Sequence, residues 1–180
     1  MAETITTLIS QDKIEKRITE MAEQISKDYA GRELRMVGIL KGACFFLCEL
    51  AKQVTVPVSI DFMQASSYGG ATESTGTVRI RKDLDESIEG VDVMIVEDIV
   101  DSGRTLAFLG EFLKNKGAKS ITYCTLLDKP QRRVVDLHAD YSGFEIPDEF
   151  VVGYGMDYAE KYRNLPYIGV VHLDKDGRTS

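Results

Sequence analysis

The chain has 180 residues, of which 43% are hydrophobic and 28% are charged, and its formal net charge is −7. These values are typical of a globular protein and favour one domain over residues 1–180. The acidic balance weighs against general nucleic-acid binding, which usually shows an excess of Lys and Arg. Because the sequence shows neither an apolar run of ~20 residues nor a signal-peptide pattern, we expect a cytoplasmic protein with no membrane partner.

Cysteine and histidine offer no evident disulfide framework or zinc site. The three cysteines, Cys44, Cys48 and Cys124, are odd in number, which argues against a framework of disulfides. The two histidines, His138 and His172, have no ligand partners nearby in sequence, so a zinc site is not expected.

The first third of the chain alternates between helical and strand patterns. Residues 11–30 carry apolar residues at helical spacing, which predicts a first helix. Residues 35–40 and 56–63 are short apolar segments that predict buried strands, and 43–53 between them predicts a mostly apolar helix. The stripe of the first helix consists of Ile14, Ile18, Met21 and Ile25.

Residues 64–77 differ in composition, being rich in Ser, Thr and Gly and poor in large aliphatic residues. This composition predicts a long loop. Loops of this length in a compact domain are either functional lids or disordered connectors, and the residues alone leave both open. Residues 77–83 then alternate between apolar and charged, which predicts a half-exposed strand.

The second half of the chain continues the alternation. Residues 91–98 are almost wholly apolar, as expected of a central parallel strand buried on both faces. A helix is predicted at 106–117 and the next strand at 120–128, with further strands at 150–154 and 166–171. Such repeats of strand, helix and strand predict an α/β fold, with a central, mainly parallel sheet flanked by helices and right-handed crossovers.

Polar residues gather where the central strand is predicted to end, in VEDIVDSGRT at 96–105. Open α/β sheets bind ligands at the carboxyl ends of their strands. The turn at 101–105 combines two hydroxyls, a glycine and the start of a helix with free backbone N–H groups, which suits a phosphate monoester. The sequence contains neither a Walker A loop nor a dinucleotide-binding glycine motif at this position.

Glu97 and Asp98 need a different explanation, because burying carboxylates is costly unless they meet cations or hydrogen-bond donors. Adjacent strand residues point to opposite faces, so the two can share a ligand only if the backbone turns there. Such acceptors suit sugar hydroxyls or Mg²⁺. A solvated strand end followed by an ordinary helix cap explains the same residues without a ligand, and both explanations stay open.

VEDIVDSGRT resembles the phosphoribosyl-pyrophosphate motif of the type I phosphoribosyltransferases, with Arg104 where some relatives have Lys. Companion segments occur in the same order and at suitable spacings, and they extend the resemblance over nearly the whole chain. These segments are LKG at 40–42, SSYGG at 66–70, LDK at 127–129 and FVVGYGMDY at 150–158. Together they are similar to the hypoxanthine (hypoxanthine-guanine) phosphoribosyltransferase family.

The resemblance implies a purine-salvage activity. Members of this family transfer 5-phosphoribosyl from phosphoribosyl pyrophosphate to N9 of hypoxanthine or guanine, which gives IMP or GMP plus pyrophosphate. The resemblance also implies Mg²⁺ as cofactor, a homodimer or homotetramer, and the type I fold with a small hood formed by terminal segments.

By the same resemblance, Asp101 is the catalytic acid/base, close to N7 of the base. The residues that would bind phosphoribosyl pyrophosphate around the 5′-phosphate and ribose are Glu97, Asp98, Asp101, Ser102, Gly103, Arg104 and Thr105. Those that would bind pyrophosphate are Lys41, Gly42 and Arg163, and the Leu40–Lys41 peptide corresponds to one that can be cis.

The base and the metal ion are assigned in the same way. The purine would contact Lys129, Phe150, Val151 and Asp157. Mg²⁺ would be held by Glu97, Asp98 and Asp157. Ser67 and Tyr68 would belong to a lid over the reacting centre.

Taken singly, several of these residues have simpler explanations. Phe150 is typical of a core residue, Lys41 of a solvated loop lysine and Arg163 of a surface arginine. Two other functions also remain open: a regulatory RNA-binding protein on the same fold, which needs a basic surface, and a sister transferase that prefers xanthine or adenine. The pattern does not rank hypoxanthine against guanine.

Overall fold

The structure is a computed structural model, and it describes residues 3–68 and 77–173. Within these ranges the elements are β1 (Glu3–Ile9), α1 (Gln11–Asp28), β2 (Leu34–Ile39), α2 (Cys44–Gln53), β3 (Val58–Tyr68), β4 (Thr77–Lys82), β5 (Asp92–Val100), α3 (Arg104–Asn115), β6 (Ser120–Asp128), a 3-10 helix (Pro130–Arg132), β7 (Tyr141–Glu145), β8 (Val151–Val152) and β9 (Ile168–Leu173). None of the helices in these ranges combines the length and apolar character needed to cross a membrane.

The central sheet of the described residues has six strands in the order β4-β3-β2-β5-β6-β7. The strands β3, β2, β5, β6 and β7 run parallel, and β4 pairs antiparallel with β3 at one edge. The strand β5 therefore lies between two parallel neighbours, as its nearly continuous apolar sequence predicted. The predicted α/β fold is confirmed.

Two hydrophobic cores cover the two faces of this sheet, and alternate residues of β5 contribute to each. Met94 and Val96 pack in the core that contains the apolar faces of α1 and α2. Val93 and Ile95 pack in the other core, with Leu109 and other residues of α3. This alternation follows from the period of two in a β-strand, and it fixes β5 rigidly behind the site.

Terminal segments form a separate three-stranded antiparallel sheet, in the order β1-β9-β8. Thr6 pairs with Val170, and Val170 in turn pairs with Val151 of β8. This sheet agrees with the predicted hood, although the sequence pattern did not predict β1 itself. It carries Val151 and brings the neighbouring Phe150 toward the central sheet.

Two boundaries differ from the predictions in ways that affect the site. The predicted loop at 64–77 is wrong for residues 64–68, because β3 continues to Tyr68 and pairs with β4. Residues 69–76 lie outside the described ranges. The predicted end of the central strand at Asp98 is also wrong, because β5 runs on to Val100 and keeps its pairing with β6.

The predicted strand at 150–154 is shorter, since β8 contains only Val151 and Val152. The backbone leaves strand geometry where Gly153 and Tyr154 adopt positive φ angles of 93° and 49°. This change of direction turns the chain back over the carboxyl edge of the central sheet.

Candidate active site

A cavity of about 340 Å³ lies at the carboxyl edge of the central sheet, next to the ends of β2 and β5. It brings together most of the residues predicted to bind phosphate, ribose and pyrophosphate, although they come from three separate parts of the chain. Its lining includes Lys41, Gly42, Glu97, Asp98, Asp101, Ser102, Gly103, Thr105, Asp157 and Arg163. Arg104 is exposed and is not among the lining residues.

A second cavity of about 260 Å³ adjoins the first and contains the predicted purine-binding residues. Lys129, Phe150 and Val151 line it, together with residues that also line the first cavity. These shared residues are Asp98, Ile99, Asp101 and Asp157. Ligands bound in the two cavities would therefore be neighbours, and both would lie next to Asp101 and Asp157.

The loop at 101–105 provides the first cavity with a helix N-terminus. Gly103 has a φ of 81°, in the left-handed region that favours glycine, and it directly precedes α3. The N–H of Ala107 donates to the carbonyl of Gly103 at 2.9 Å, as the first bond of the helix. The N–H groups before it have no partner within the helix and can bind an anion.

Glu97 and Asp98 both line this cavity although β5 continues as a strand to Val100, so the backbone turn that the sequence analysis required is not present. Pairing between β2 and β5 ends at Gly38 opposite Val96, while β5 continues along β6 to Val100. Beyond Val96, one edge of β5 is therefore free of β2. Glu97 and Asp98, which are adjacent on this part of the strand, both line the cavity.

The carboxylates of Glu97 and Asp98 influence each other strongly. Burial raises the pKa of Glu97 well above its usual range, and the neighbouring charge of Asp98 raises it further. Burial also raises the pKa of Asp98, against the lowering effect of hydrogen bonds with Glu97 and the N–H of Ile99, which donates at 2.9 Å. A cation close to these two carboxylates would stabilise their ionised forms.

The turn between β2 and α2 packs against these acids at very close range. A Cβ atom at Gly42 would overlap with the carboxylate of Asp98, so a larger residue there would have to displace that carboxylate. The preceding Leu40–Lys41 peptide is cis, as the family resemblance implied. Gly42 thus lets the backbone after β2 form one wall of the cavity.

The two predicted pyrophosphate-binding cations are already paired with acids. Nζ of Lys41 lies 2.8 Å from Oε2 of Glu160, and an Nη of Arg163 lies 3.3 Å from Oε1 of the same glutamate. That Nη is also 2.9 Å from Oδ1 of Asp157. Glu160 was not predicted from the sequence, and it has a positive φ of 63° that ordinary residues rarely adopt.

In the second cavity, Lys129 is buried and Phe150 is exposed. Nζ of Lys129 donates to the carbonyl of Glu149 at 2.7 Å and lies 3.6 Å from Oδ1 of Asp148. The ring of Phe150 is 55% exposed and contacts Tyr158 edge-on, with 5.7 Å between the ring centres. The simpler explanation of Phe150 as a core residue is therefore wrong, and its ring is available to a flat ligand.

Ser67 and Tyr68 lie at the end of β3, and their side chains are outside the described part of the structure. Ala65, two residues earlier on the same strand, lines the first cavity. The strand β3 therefore contacts the site at Ala65, and the assignment of Ser67 and Tyr68 to a lid stays a prediction.

Comparison with known proteins decides the family. The family model described as the phosphoribosyl transferase domain matches residues 5–159. The chain belongs to the phosphoribosyltransferase family. The prediction made from VEDIVDSGRT and its companion segments is thereby confirmed.

Relatives within this family share about half of their residues with the chain. The hypoxanthine phosphoribosyltransferase of Salmonella typhimurium is 51% identical over 178 residues, which cover 97% of this chain and 100% of that protein. The bifunctional protein TilS/HprT of Listeria monocytogenes is 52% identical over 164 residues. These residues cover 91% of this chain but 25% of that protein, so this phosphoribosyltransferase spans about a quarter of that relative's length.

Among solved structures, a hypoxanthine-guanine phosphoribosyltransferase from Bacillus anthracis is similar to this phosphoribosyltransferase throughout. The TM-score is 0.89 at 47% sequence identity, and the match covers 96% of this chain and 100% of that one. The predicted type I fold is therefore confirmed over nearly the whole length of the chain.

Four charged residues of the site were not predicted: Arg132, Arg133, Asp148 and Glu160. Arg132 lies 2.6 Å from the carboxylate of Asp101 and contacts Asp148, and Arg133 donates to the backbone carbonyl of Asp101 at 3.0 Å. The available signal was the cluster of charge in DKPQRR, immediately around Lys129.

Proposed function

We propose that this phosphoribosyltransferase transfers 5-phosphoribosyl from phosphoribosyl pyrophosphate to N9 of hypoxanthine or guanine, giving IMP or GMP. The main support is the pair of adjoining cavities that share Asp98, Ile99, Asp101 and Asp157. One combines a phosphate-binding helix N-terminus with two carboxylates, and the other combines a buried lysine with an exposed aromatic ring. This arrangement suits a sugar phosphate next to a purine. The names of the similar proteins support the same activity.

The phosphoribosyl group would occupy the first cavity. The N–H groups at the start of α3, with the hydroxyls of Ser102 and Thr105, would bind the 5′-phosphate. Gly103 permits the close approach, while Arg104 would act only through its backbone and its charge at the rim. The carboxylates of Glu97 and Asp98 would accept hydrogen bonds from the ribose hydroxyls.

The acids of the first cavity also fit Mg²⁺. Glu97 and Asp98 lie beside each other, partly buried and with raised pKa values, so positive charge between them and a bound diphosphate would be stabilising. Mg²⁺ prefers oxygen ligands and is commonly held by one or two carboxylates plus substrate phosphates and water. No cluster of three or more His, Cys, Asp or Glu side chains that could form a complete cage occurs in residues 3–68 and 77–173. Held by Glu97 and Asp98, Mg²⁺ would neutralise charge on the departing pyrophosphate.

Asp157 is the third proposed metal ligand, and it would have to release protein contacts first. Its Oδ1 pairs with Arg163 at 2.9 Å, and its Oδ2 accepts from the N–H of Glu160 at 2.8 Å. Arg163 and Lys41 would then bind pyrophosphate together with the backbone at Gly42. The Nε of Arg163 is covered by protein and has no hydrogen-bond partner among the described residues, so an anion could reach it only after the side chain moves.

The chemical step joins the two cavities. N9 of the purine forms a bond to C1′ of the ribose as the bond from C1′ to the pyrophosphate oxygen breaks. The proton lost by the purine leaves from N7 to the carboxylate of Asp101, which acts as the general base. Lys129 would donate to O6, Phe150 would stack on the ring, and the backbone of Val151 would contact the edge of the base.

Water competes with the purine for the electron-poor C1′, so the reaction needs a closed site. We assign this role to the end of the hairpin formed by β3 and β4, including Ser67 and Tyr68. Closure of such loops commonly completes a catalytic site. Shortening residues 69–76 should then lower kcat more than it weakens IMP binding.

The deciding experiment is turnover with phosphoribosyl pyrophosphate and Mg²⁺, using hypoxanthine, guanine, xanthine and adenine in separate reactions. We expect IMP and GMP as the main products and no turnover after the Mg²⁺ is chelated. A preference for adenine or xanthine would refute the proposed substrate class. Absence of turnover with all four bases, together with RNA binding on a filter, would favour the regulatory role instead.

The resemblance also supports a homodimer or homotetramer and a cytoplasmic location. Both remain predictions of the family. Sedimentation analysis of the purified protein would test the first, and fractionation of the source cells would test the second.

A further inference from the structure

Two adjacent arginines follow β6, and the proposed reaction assigns a role to neither. Arg132 and Arg133 belong to the segment KPQRR, which begins at Lys129 and includes the 3-10 helix. Both contact Asp101, the residue proposed to take the proton from the purine. They contact it through different atoms, and this difference separates their roles.

Arg133 holds the backbone of the loop. One Nη donates to the carbonyl oxygen of Asp101 at 3.0 Å, and the other forms an ion pair with Asp128. The side chain is only 11% exposed, and its Cδ would lie 3.0 Å from a Cβ atom at Gly103. Arg133 therefore packs beneath the phosphate loop as part of its support.

Arg132 contacts the carboxylate itself. Its Nε lies 2.6 Å from Oδ1 of Asp101, and its Nη1 lies 3.2 and 3.1 Å from the two oxygens of Asp148. The guanidinium is thus anchored on one side and faces the catalytic acid on the other. It is 50% exposed, so it lies at the mouth of the site rather than in the core.

The two oxygens of Asp101 differ in their surroundings. Oδ1 is covered by protein, although the side chain as a whole is 46% exposed and lines both cavities. The contact with Arg132 has the distance of an ion pair without the alignment of a hydrogen bond. Oδ2 is therefore the oxygen available to a ligand.

We propose that Arg132 is a positioning residue for the transfer reaction. It holds Oδ1 of Asp101 so that Oδ2 faces the purine, and Asp148 anchors Arg132 in turn. This inference rests on the proposed function, in which Asp101 accepts the purine proton. A base displaced by only 1 Å can lose about 10²-fold in rate, so a residue that directs one oxygen is expected to matter.

The test compares three single variants in steady-state turnover of hypoxanthine. Arg132→Met should lower kcat by about 10- to 100-fold while the KM for phosphoribosyl pyrophosphate and the affinity for IMP change little. Arg132→Lys should restore part of kcat, because it restores the cation. Arg32→Met is the matched control. It removes a half-exposed arginine, 3.6 Å from Asp92 at the opposite end of β5, and should leave kcat unchanged.

A double-mutant cycle shows whether Arg132 acts through Asp101. In an Asp101→Asn background, adding Arg132→Met should change kcat by less than about twofold, because the group that it positions is already lost. Losses that multiply would overturn the inference. An unchanged kcat for Arg132→Met would also overturn the inference. The same holds if Arg132→Met lowers the melting temperature and weakens IMP binding in proportion to the loss of kcat. A wild-type protein that converts no purine would overturn the proposed function itself, whereas an active wild type with a fully active Arg132→Met refutes this inference alone.

Discussion

Two segments supply most of the site, and they are built differently. The strand-end segment, residues 97–105, is continuous in sequence, and β5, β6 and α3 hold it through regular backbone pairing. The distal segment, residues 129–163, contains the short strands β7 and β8. Most of its site residues lie outside these strands, where the backbone includes left-handed residues and side-chain ion pairs hold the chain. The comparison indicates that the sugar-phosphate part of the site is preformed by the fold, while the base and pyrophosphate part depends on contacts that substrates must replace.

The largest expected effect concerns the base and tests the distal segment. Lysine has only donors, so in the proposed function Lys129 would pair with a 6-oxo group but would face an amino group in adenine. Sites built around such a buried polar partner reject the wrong analogue by about 10⁴. We therefore expect kcat/KM for adenine to be lower than for hypoxanthine by about this factor, with guanine efficient and xanthine weaker.

The measurement is kcat/KM for the four bases at a fixed concentration of phosphoribosyl pyrophosphate. Lys129→Met should lower kcat/KM for hypoxanthine and so reduce the ratio of kcat/KM between hypoxanthine and adenine. Lys114→Met, at a 70% exposed position on α3, is the control and should change kcat/KM for neither base. Adenine within about tenfold of hypoxanthine in the wild type would show that Lys129 does not read position 6.

The second effect tests the strand-end segment. Asp101→Asn removes a proton acceptor but keeps the shape of the side chain, so kcat should fall by about 10²–10⁴. IMP binding, measured by calorimetry, should be nearly unchanged because the phosphate-binding backbone is intact. Asp12→Asn in the first turn of α1 serves as the control. A kcat near that of the wild type would leave Asp101 with a structural role only.

The paired acids predict a dependence of stability on pH. The pKa of Glu97 is raised in the folded state above its usual value of 4.5, so folding favours the protonated form. This contribution to stability is present below pH 4.5 and is lost as the pH rises through the folded-state pKa. Above that pH, Glu97→Gln should raise the melting temperature of the metal-free protein, since about 1 kcal/mol shifts it by roughly 2–4 °C at this chain length.

The same variant should weaken the stabilisation that Mg²⁺ and phosphoribosyl pyrophosphate give together. Glu23→Gln, on the exposed side of α1, should change neither quantity. A melting temperature for Glu97→Gln that is lower than the wild type at every pH would mean that Glu97 is stabilising in its charged form, contrary to this explanation.

The smallest effect concerns the ion pairs of the distal segment. If Lys41 and Arg163 bind pyrophosphate as proposed, Glu160 would compete with it for both cations, but its pair with Lys41 is exposed, and such pairs contribute little. Glu160→Gln should therefore lower the KM for phosphoribosyl pyrophosphate by only about two- to fivefold. The pKa of Glu160 is lowered by its hydrogen bond with Lys41, so the effect should persist to mildly acidic pH.

Glu111→Gln removes the same charge from a 73% exposed position on α3 and is the matched control. A KM that rises in Glu160→Gln would indicate that Glu160 orders the two cations for the substrate rather than competing with it. The pyrophosphate-binding part of the distal segment would then be preformed, like the strand-end segment.

The contrast between the segments also explains which features the sequence predicted. The proposed phosphate site at 101–105 depends on a few adjacent residues and the end of a strand, so the pattern alone indicated it. The α/β fold followed from the periodicity of apolar residues, as in 91–98. The family resemblance was needed for Lys129, Phe150 and Asp157, since each of these residues has an ordinary explanation when taken alone.

Other features depend on partners distant in the chain and could not be read locally. The strand β1 has a partner about 160 residues away, since Thr6 pairs with Val170. Residues 64–68 resemble a loop in composition but form a strand because β4 pairs with them. In the same way, the contact of Glu160 with Lys41 depends on the path of the distal segment, which no short motif describes.

The unequal lengths of β2 and β5 have a consequence for how this scaffold tolerates insertions. If the pairing of β2 with β5 continued in register for two more residues, Ile39 and Leu40 would pair with Glu97 and Asp98. The gap that admits both side chains to the ligand would then be filled by main chain. Inserting one or two residues at this junction should therefore reduce activity far more than a much longer insertion in a surface loop, which proteins tolerate well. The difference in length between β2 and β5 is thus a feature that substitutions and insertions can change little without loss of the site.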